Sequence, residues 1–294
     1  ERDFAAHSDG VRPGRGGKDA LRRVAALLAA GYTWGVDADL RKYFDTIPHD
    51  RLMALIRRKI ADGRVLALLE GYLRQGVLDG AAHWVTSEGT PQGAVISPLL
   101  ANIYLDPLDH LVAAQGLEMV RYADDFVILC RSEAEAQRAL GLVRQWVEAH
   151  GLTLHPEKTR IVDAGVRGGF DFLGYQFEQG GKRWPSRKAI RALRDSLRPL
   201  VGRNNGHSMA ELVGRLNPIL RGWFEYFRHG NPLDLRKVDT WLRMRLRSIL
   251  WRRHRRHGIG HGCCHQLWPN AHFHQLGLFS LAAAHDLAHQ PARR

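Results

Sequence analysis

The sequence predicts an α+β fold, an antiparallel sheet with helices packed on one face, followed by a second region that is helical. Two short apolar runs, Trp34 to Leu40 and Met119 to Cys130, carry the β-branched and alternating pattern of strands. Longer stretches between and after them repeat apolar residues three and four apart, the pattern of helices with one buried face. Composition changes near Gln179-Gly180-Gly181-Lys182, and beyond that point the periodicity is helical.

A glycine-rich basic loop, Asp9 to Asp19, comes first. Arg12, Arg15 and Lys18 offer their charges to phosphates or to solvent, and the residues leave both readings open. A helix follows from Ala20 to about Ala30. In Trp34-Gly35-Val36-Asp37-Ala38-Asp39-Leu40 the alternation places Asp37 and Asp39 on one face of a strand. After a turn at Ile47-Pro48-His49-Asp50, a helix starts near Asp50 and buries Leu52, Leu55, Ile56 and Ile60. A second helix runs from Val65 to Arg74.

Gly89-Thr90-Pro91-Gln92-Gly93 is a loop where Gly93 lets backbone approach a ligand and Gln92 is able to bond a base or sugar. A purely architectural turn explains the same residues. Ser97 is expected to cap, and Pro98 to open, an amphipathic helix carrying Leu99, Leu100, Ile103, Leu108, Leu111 and Val112. Next, Asp124 and Asp125 stand together between two apolar runs, which reads as a β-hairpin closed by a tight acidic turn and anchored by Tyr122 and Phe126. A helix over 134–150 stopped by Gly151, a short strand over 152–154 and a strand over 170–177 complete this part. Helices over 187–201, 208–227 and 233–257 follow.

The chemistry suggested is that of a divalent cation. If Asp39 lies on a strand beside the hairpin, it converges with Asp124, and such carboxylates suit Mg²⁺, which takes oxygen ligands and shares them with substrate phosphates. Two ions about 3.5 to 4 Å apart activate a 3′-hydroxyl and stabilise a departing pyrophosphate in an in-line displacement. The alternative is a solvated turn, where Asp is common.

The chain of 294 residues carries 43 Lys and Arg against 30 Asp and Glu, a net charge of +13 and a pI near 10.2. That excess points to a polyanionic partner, nucleic acid first. In the last long helix Val238, Leu242, Leu246 and Ile249 are expected inside, leaving Arg243, Arg247, Arg252, Arg253, Arg255 and Arg256 outside. Interleaved with Trp241 and Trp251, these arginines suit a phosphate backbone with stacked bases.

Cys130, Cys263 and Cys264 offer no disulfide framework and suggest a reducing compartment; the expected location is the cytoplasm, on the nucleoid in a bacterium. No apolar run approaches the roughly 18 residues of a bilayer span, so no membrane partner is expected. His254, His257, His261, His265, His272 and His274 lie near Cys263 and Cys264, but without a repeated Cys-x-x-Cys spacing a structural zinc is not expected.

In combination these residues resemble the group II intron-encoded reverse transcriptase/maturase family over nearly the whole chain. The resemblance is carried, in the family's order, by Arg12-Pro13-Gly14-Arg15, by Asp39 with Phe44-Asp45, and by Gly89-Thr90-Pro91-Gln92-Gly93 with Ser97-Pro98-Leu99-Leu100-Ala101-Asn102. It continues through Tyr122-Ala123-Asp124-Asp125, Glu157-Lys158-Thr159 and Phe172-Leu173-Gly174, and then Leu220-Arg221-Gly222-Trp223 with Tyr226-Phe227. It implies a reverse-transcriptase palm over 36–180 after a fingers remnant over 1–35, a helical thumb or maturase domain over 181–260, and a tail over 261–294. Most of the fingers region is expected to be missing from this chain.

The resemblance also assigns roles. Asp39, Asp124 and Asp125 are the expected catalytic and Mg²⁺-binding acids. Phe44 falls where the family blocks a 2′-hydroxyl, Gln92 beside the templating pair, and Lys158 near the triphosphate, with Arg12 and Arg15 as further triphosphate contacts. Arg243, Arg247, Arg252, Arg253 and Trp251 are the expected nucleic-acid contacts. The implied partners are group II intron RNA, an RNA template with a DNA primer, deoxynucleoside triphosphates and a DNA target. The implied activity is RNA-directed DNA synthesis with help to intron splicing. The rivals are an RNA-binding maturase that does not polymerise and a related RNA polymerase, against which Phe44 speaks. Paired cysteines of an endonuclease are not seen in the tail, so nicking of a DNA target is not expected.

Overall fold

The computed structural model describes residues 3–74, 77–79, 82–84, 88–90, 94–254 and 262–289. The chain divides into two compact units, residues 1–173 with 177–182, and residues 174–176 with 183–294.

The first unit opens with α1 (Gly17–Ala29), β1 (Trp34–Ala38), α2 (Tyr43–Thr46), α3 (His49–Arg57) and α4 (Gly63–Arg74). A two-stranded hairpin, β2 (Val77–Asp79) with β3 (Ala82–Trp84), leads to α5 (Ser97–Ala114). Then come β4 (Glu118–Tyr122), β5 (Asp125–Cys130), α6 (Glu133–Ala149), β6 (Arg160–Asp163) and β7 (Phe170–Phe172). The main sheet has the order β4-β5-β1-β6, with each adjacent pair that β1 and β5 make antiparallel.

Alternation sorts this sheet cleanly. Val36, Ala38, Met119, Phe126, Ile128 and Cys130 point to one face and join the main core with α3, α5 and α6. Val120, Val127 and Leu129 point the other way and are buried too. The helix that lies against β4 and β5 there is α1, through Ala20, Leu21, Val24 and Leu28. Helices therefore cover the sheet more completely than a one-face reading expects, and Asp37 and Asp39 stand on the face that α1 shares.

Several local expectations change. Residues 170–177 form not one strand but two, β7 and β8 (Tyr175–Glu178), because Leu173 and Gly174 take the left-handed conformation at φ 47° and 78°. The stretch 152–154 contributes a single bridge, Leu40 with Leu154, while the strand that pairs with β1 is β6, whose short polar sequence gave little signal. Ser97 sits inside the first turn of α5 rather than capping it, with Ile96 at the cap position.

The second unit holds most of β9 (Lys182–Pro185), then α7 (Arg187–Leu197), α8 (Met209–Phe227), α9 (Pro232–Arg253), α10 (Cys263–Leu267), α11 (Asn270–Gln275) and α12 (Leu281–Ala288). Its core joins Leu193 and Leu197 of α7, Leu212, Leu216 and Leu220 of α8, and Leu235, Val238, Leu242, Leu246 and Ile249 of α9. Serines cap α7 and α8 at Ser186 and Ser208, accepting from the backbone N–H of Ala189 and Glu211.

The C-terminal segment belongs to this core, through Cys264, Trp268, Phe273, Leu278 and Leu281. Polar groups on α8 and α9 hold it in place. Asp239 accepts from the Ser280 hydroxyl at 2.6 Å and from the N–H groups of Leu281 and Ala282 at 3.1 Å, serving the start of α12. Asn217 donates to the Gly277 carbonyl at 2.9 Å and accepts from the Phe279 N–H at 2.8 Å. Among the described residues no helix is long and apolar enough to cross a membrane.

Candidate active site

The acidic turn is built from backbone geometry. Tyr122 pairs with Asp125, so Ala123 and Asp124 make a two-residue loop, with Ala123 in the left-handed conformation at φ 58°. On the other side of β5, β1 runs antiparallel in a register that ends with Ala38 opposite Phe126. One residue further along each strand stand Asp39 and Asp125, at the same end of neighbouring strands. Asp39 is then pinned by the loop after α6, since its carbonyl accepts from the His155 N–H at 2.8 Å and its carboxylate pairs with Lys158 Nζ at 2.8 Å.

The carboxyl groups shift one another. Burial pushes the Asp125 carboxyl up to about 7, helped by the charges of Asp37, Asp124 and Asp39 and opposed by the Leu173 N–H that donates to it. Burial also raises Asp124, with Asp39 adding to the shift and Lys158 and Arg121 opposing it. Asp37 is raised by burial and held back by Arg160, whose Nε lies 3.3 Å from it. The Lys158 ammonium is raised in turn by its bond to Asp39.

This crowding has a pH signature. Asp125 titrates at about 7 in the folded chain against 3.8 ordinarily, so the native state holds the extra proton between those values and stability falls as pH rises through that window. The interval sets a ceiling of about 4 kcal/mol, which partial solvent contact reduces to roughly 2 kcal/mol. Asp125→Asn in metal-free buffer is therefore expected to be more stable than wild type by roughly 2 kcal/mol at pH 8 and equal to it at pH 4. Urea melts with a chelator at both pH values check this, and equal stability at pH 8 refutes it.

Phe44 lies on α2, half-buried, with its ring edge-on to Tyr43 at 5.5 Å. Tyr43 is anchored through its hydroxyl to the Ala101 carbonyl at 2.6 Å. The Phe44 carbonyl accepts from the Thr90 N–H at 2.6 Å, and Gly89 donates to the Ile47 carbonyl at 2.8 Å. At φ 89°, and with a Cβ that would meet the Asp45 carbonyl oxygen at 2.8 Å, position 89 needs glycine. Gln92 lies outside the described residues.

Other expected contacts are placed differently. Arg12 is buried and donates to the carbonyls of Ala5 at 2.7 Å and Ser8 at 2.9 Å, with its guanidinium over Phe4, so it fixes the N-terminal segment rather than facing a triphosphate. Arg15 is turned to the carbonyl of Ala6 and to Asp9 at 3.3 Å. In the second unit Arg247 is buried, donating to the Trp268 carbonyl and to Asn270, both at 2.8 Å, and is withdrawn from any phosphate. Arg243 lies 4.0 Å from Asp239 and is largely covered, and Trp251 is half-buried against the core. Arg252 and Arg253 are exposed, though Arg253 also donates to the carbonyls of Asn205 and His207. Arg255 and Arg256 lie outside the described residues.

The exposed basic groups of α7, Arg187, Lys188 and Arg191, with Arg198 at its C-cap, were not singled out from sequence, although their spacing along an amphipathic helix carries that signal. Also missed was a buried polar cluster behind the turn. Arg121 donates through Nε to Asp109 Oδ1 at 2.8 Å and through Nη2 to Asp109 Oδ2, and its Nη1 reaches Asn102 Oδ1 at 2.8 Å and the Ala123 carbonyl at 2.9 Å. A lone arginine inside a buried strand, with Asn102 and Asp109 seven apart on one helix, was the available clue.

Residues 2–177 match the family model described as reverse transcriptase (RNA-dependent DNA polymerase), and residues 190–268 match the group II intron, maturase-specific domain. The chain belongs to the group II intron-encoded reverse transcriptase/maturase family. Protein YkfC of Escherichia coli (strain K12) is 31% identical over 232 residues, 65% of this chain and 60% of that protein. Group II intron-encoded protein LtrA of Lactococcus lactis subsp. cremoris is 41% identical over 109 residues, 37% of this chain and 18% of that protein. The chain thus spans less than two thirds of these relatives' lengths. Among solved structures, a telomerase from Candida albicans, in complex with a fragment of telomeric RNA, aligns over 82% of this chain and 44% of its own with a TM-score of 0.51 at 13% identity, a likeness of fold.

Reverse transcriptases use divalent metal ions, and the residues here fit one. The donors are carboxylate oxygens, the ligands that Mg²⁺ takes. Among the described residues no group of three or more His, Cys, Asp or Glu is placed to hold a metal ion.

Proposed function

We propose that this chain is the RNA-directed DNA polymerase of a group II intron, extending a DNA primer on an RNA template and binding intron RNA to assist splicing and mobility. The observation that carries the reading is the acidic cluster itself, in which Asp125 is driven to about 7 by burial and by three neighbouring carboxylates. A protein of net charge +13 that only gripped RNA would gain nothing from holding acids together against their own repulsion.

In this reading Asp39 and Asp124 would hold the cation and Asp125 would tune their field. The chemistry a bound Mg²⁺ would supply there is charge stabilisation of the oxygens of the transferred phosphate during attack by the primer 3′-hydroxyl. Lys158 keeps Asp39 oriented in the free chain, and its protonated ammonium is suited to neutralise a departing pyrophosphate.

Phe44 selects the sugar. Its ring is fixed from one side by Tyr43 and its backbone from the other by Thr90, so it excludes a 2′-hydroxyl by bulk. Phe44→Ala is expected to raise the ratio of ribonucleotide to deoxynucleotide incorporation by about 100-fold. Competitive single-nucleotide incorporation reads this directly, and an unchanged ratio removes the gate role.

The exposed cations of α7 with Arg252 and Arg253 supply the attraction for RNA in the second unit. The maturase-specific match over residues 190–268 also favours the second reading, a splicing cofactor that binds RNA without polymerising. Extension of a DNA primer on an RNA template, with deoxynucleotides and Mg²⁺, separates the two: RNA binding with no product selects the cofactor.

A further inference from the structure

We propose that the buried cluster behind the acidic turn is a positioning device: Arg121, with Asn102 and Gly10, sets where Asp124 stands relative to Asp39 and thereby sets the affinity of the pair for a divalent cation. The inference rests on the reading of those acids as a cation site. What Arg121 grips is the carbonyl of Ala123, at 2.9 Å. That carbonyl belongs to the peptide unit that ends at the Asp124 Cα, so fixing its direction fixes the root of the Asp124 side chain.

Ala123 would not hold the direction unaided, because its left-handed conformation at φ 58° is one that residues other than glycine seldom adopt. Arg121 is itself immobilised by two bonds to Asp109 and one to Asn102 at 2.8 Å. Asn102 donates from its amide nitrogen to the Gly10 carbonyl, also at 2.8 Å, which ties the turn to the segment running along the outer edge of β4.

That segment is held in register. The Asp9 backbone N–H donates to the Arg121 carbonyl at 2.9 Å, and the Arg121 backbone N–H donates to the His7 carbonyl at 3.0 Å. Gly10 then lies flat on the turn, so that a Cβ there would come within 2.2 Å of the Ala123 nitrogen and 2.9 Å of the Tyr122 carbonyl carbon. Both are backbone atoms, which yield only if the turn or the edge segment moves. The turn is therefore set from two sides, by a guanidinium behind it and by glycine backbone beside it. Neither group has a place among the metal ligands, and both act through the backbone that bears one.

The test is Mn²⁺ binding to the full chain without nucleic acid, followed by electron paramagnetic resonance. Wild type is expected to show a site that Asp124→Ala abolishes. Asn102→Ala, which cuts the tie to Gly10, and Gly10→Ala, which wedges a methyl group against the turn, are each expected to weaken that site by about 10-fold or more. Arg121→Lys keeps the charge but loses the fork, and is expected to weaken it too.

Leu73→Ala, a core truncation on α4, serves as the stability control and is expected to lower the melting temperature while leaving Mn²⁺ affinity unchanged. If Asn102→Ala, Gly10→Ala and Arg121→Lys all bind Mn²⁺ as wild type does while Asp124→Ala does not, the positioning role is overturned and the cation site stands. Weakening that tracks melting temperature equally in Leu73→Ala overturns it as well. A wild-type chain with no Asp124-dependent site overturns the cation reading, and the inference falls with it.

Discussion

Asp124→Ala is expected to cut single-nucleotide extension of a DNA primer on an RNA template by about a thousand-fold, the rate equivalent of roughly 4 kcal/mol of lost transition-state stabilisation. The size follows from the position of the carboxylate, half-buried at the tip of the β4–β5 turn, with Asp39 adding to the shift that burial imposes on it. No neighbouring acid is well placed to replace it, because Asp125 is raised to about 7 and so carries only part of its charge at neutral pH, and Asp37 is paired with Arg160. Asp39→Ala should lose as much. The double variant should lose little more than either alone, as expected of residues that act as one unit.

RNA affinity is the control that gives the result its meaning. Removing one carboxylate from a chain of net charge +13 leaves its attraction for a phosphate backbone intact, so filter binding should be unchanged or slightly tighter. Extension by Asp124→Ala at the wild-type rate would defeat the polymerase assignment. Equal loss of extension and of RNA binding would mean that the substitution had unfolded the turn.

The sequence was most informative where one residue type can do only one job. Two adjacent acids between apolar runs read as a tight hairpin turn, although the loop proves to be Ala123 and Asp124 with Asp125 already in β5, and alternation in Trp34 to Leu40 put Asp37 and Asp39 on a shared face. Register is a long-range property, so the match of Ala38 with Phe126 was not available from either strand alone. Strand β6 was hidden for a related reason: Arg160 and Asp163 are poor strand formers, and pairing with β1 over four residues outweighs that preference.

Charge was read less well than hydrophobicity. Arg12, Arg15, Arg247 and Arg243 look alike in sequence to Arg252, since each sits in a basic stretch, yet the first three are committed to protein carbonyls or side chains. Long aliphatic stems let arginine reach across a core and satisfy backbone groups that nothing else satisfies, and which arginine does so depends on where distant carbonyls fall. Trp268, whose carbonyl takes Arg247, is 21 residues away in the chain.

The largest effect on folding is expected from Asp109→Ala, about 3 to 5 kcal/mol of lost stability. Asp109 and Arg121 have fully buried side chains, and the guanidinium spends Nε and Nη2 on this one carboxylate. Removing the acid does not remove the cation, which stays charged at any accessible pH and is left in the core with only Asn102 and a carbonyl to answer it. Burial of an uncompensated charge, more than the lost attraction, sets the cost. Replacing both partners by apolar residues, Asp109→Leu with Arg121→Met, should therefore be less damaging than Asp109→Ala alone, although the Ala123 carbonyl and Asn102 lose a donor. Urea unfolding of the three chains at pH 7 gives the comparison. A double variant as unstable as the single one would mean that the pair contributes attraction rather than mutual neutralisation, and a loss under about 1 kcal/mol for Asp109→Ala would mean that water reaches Arg121.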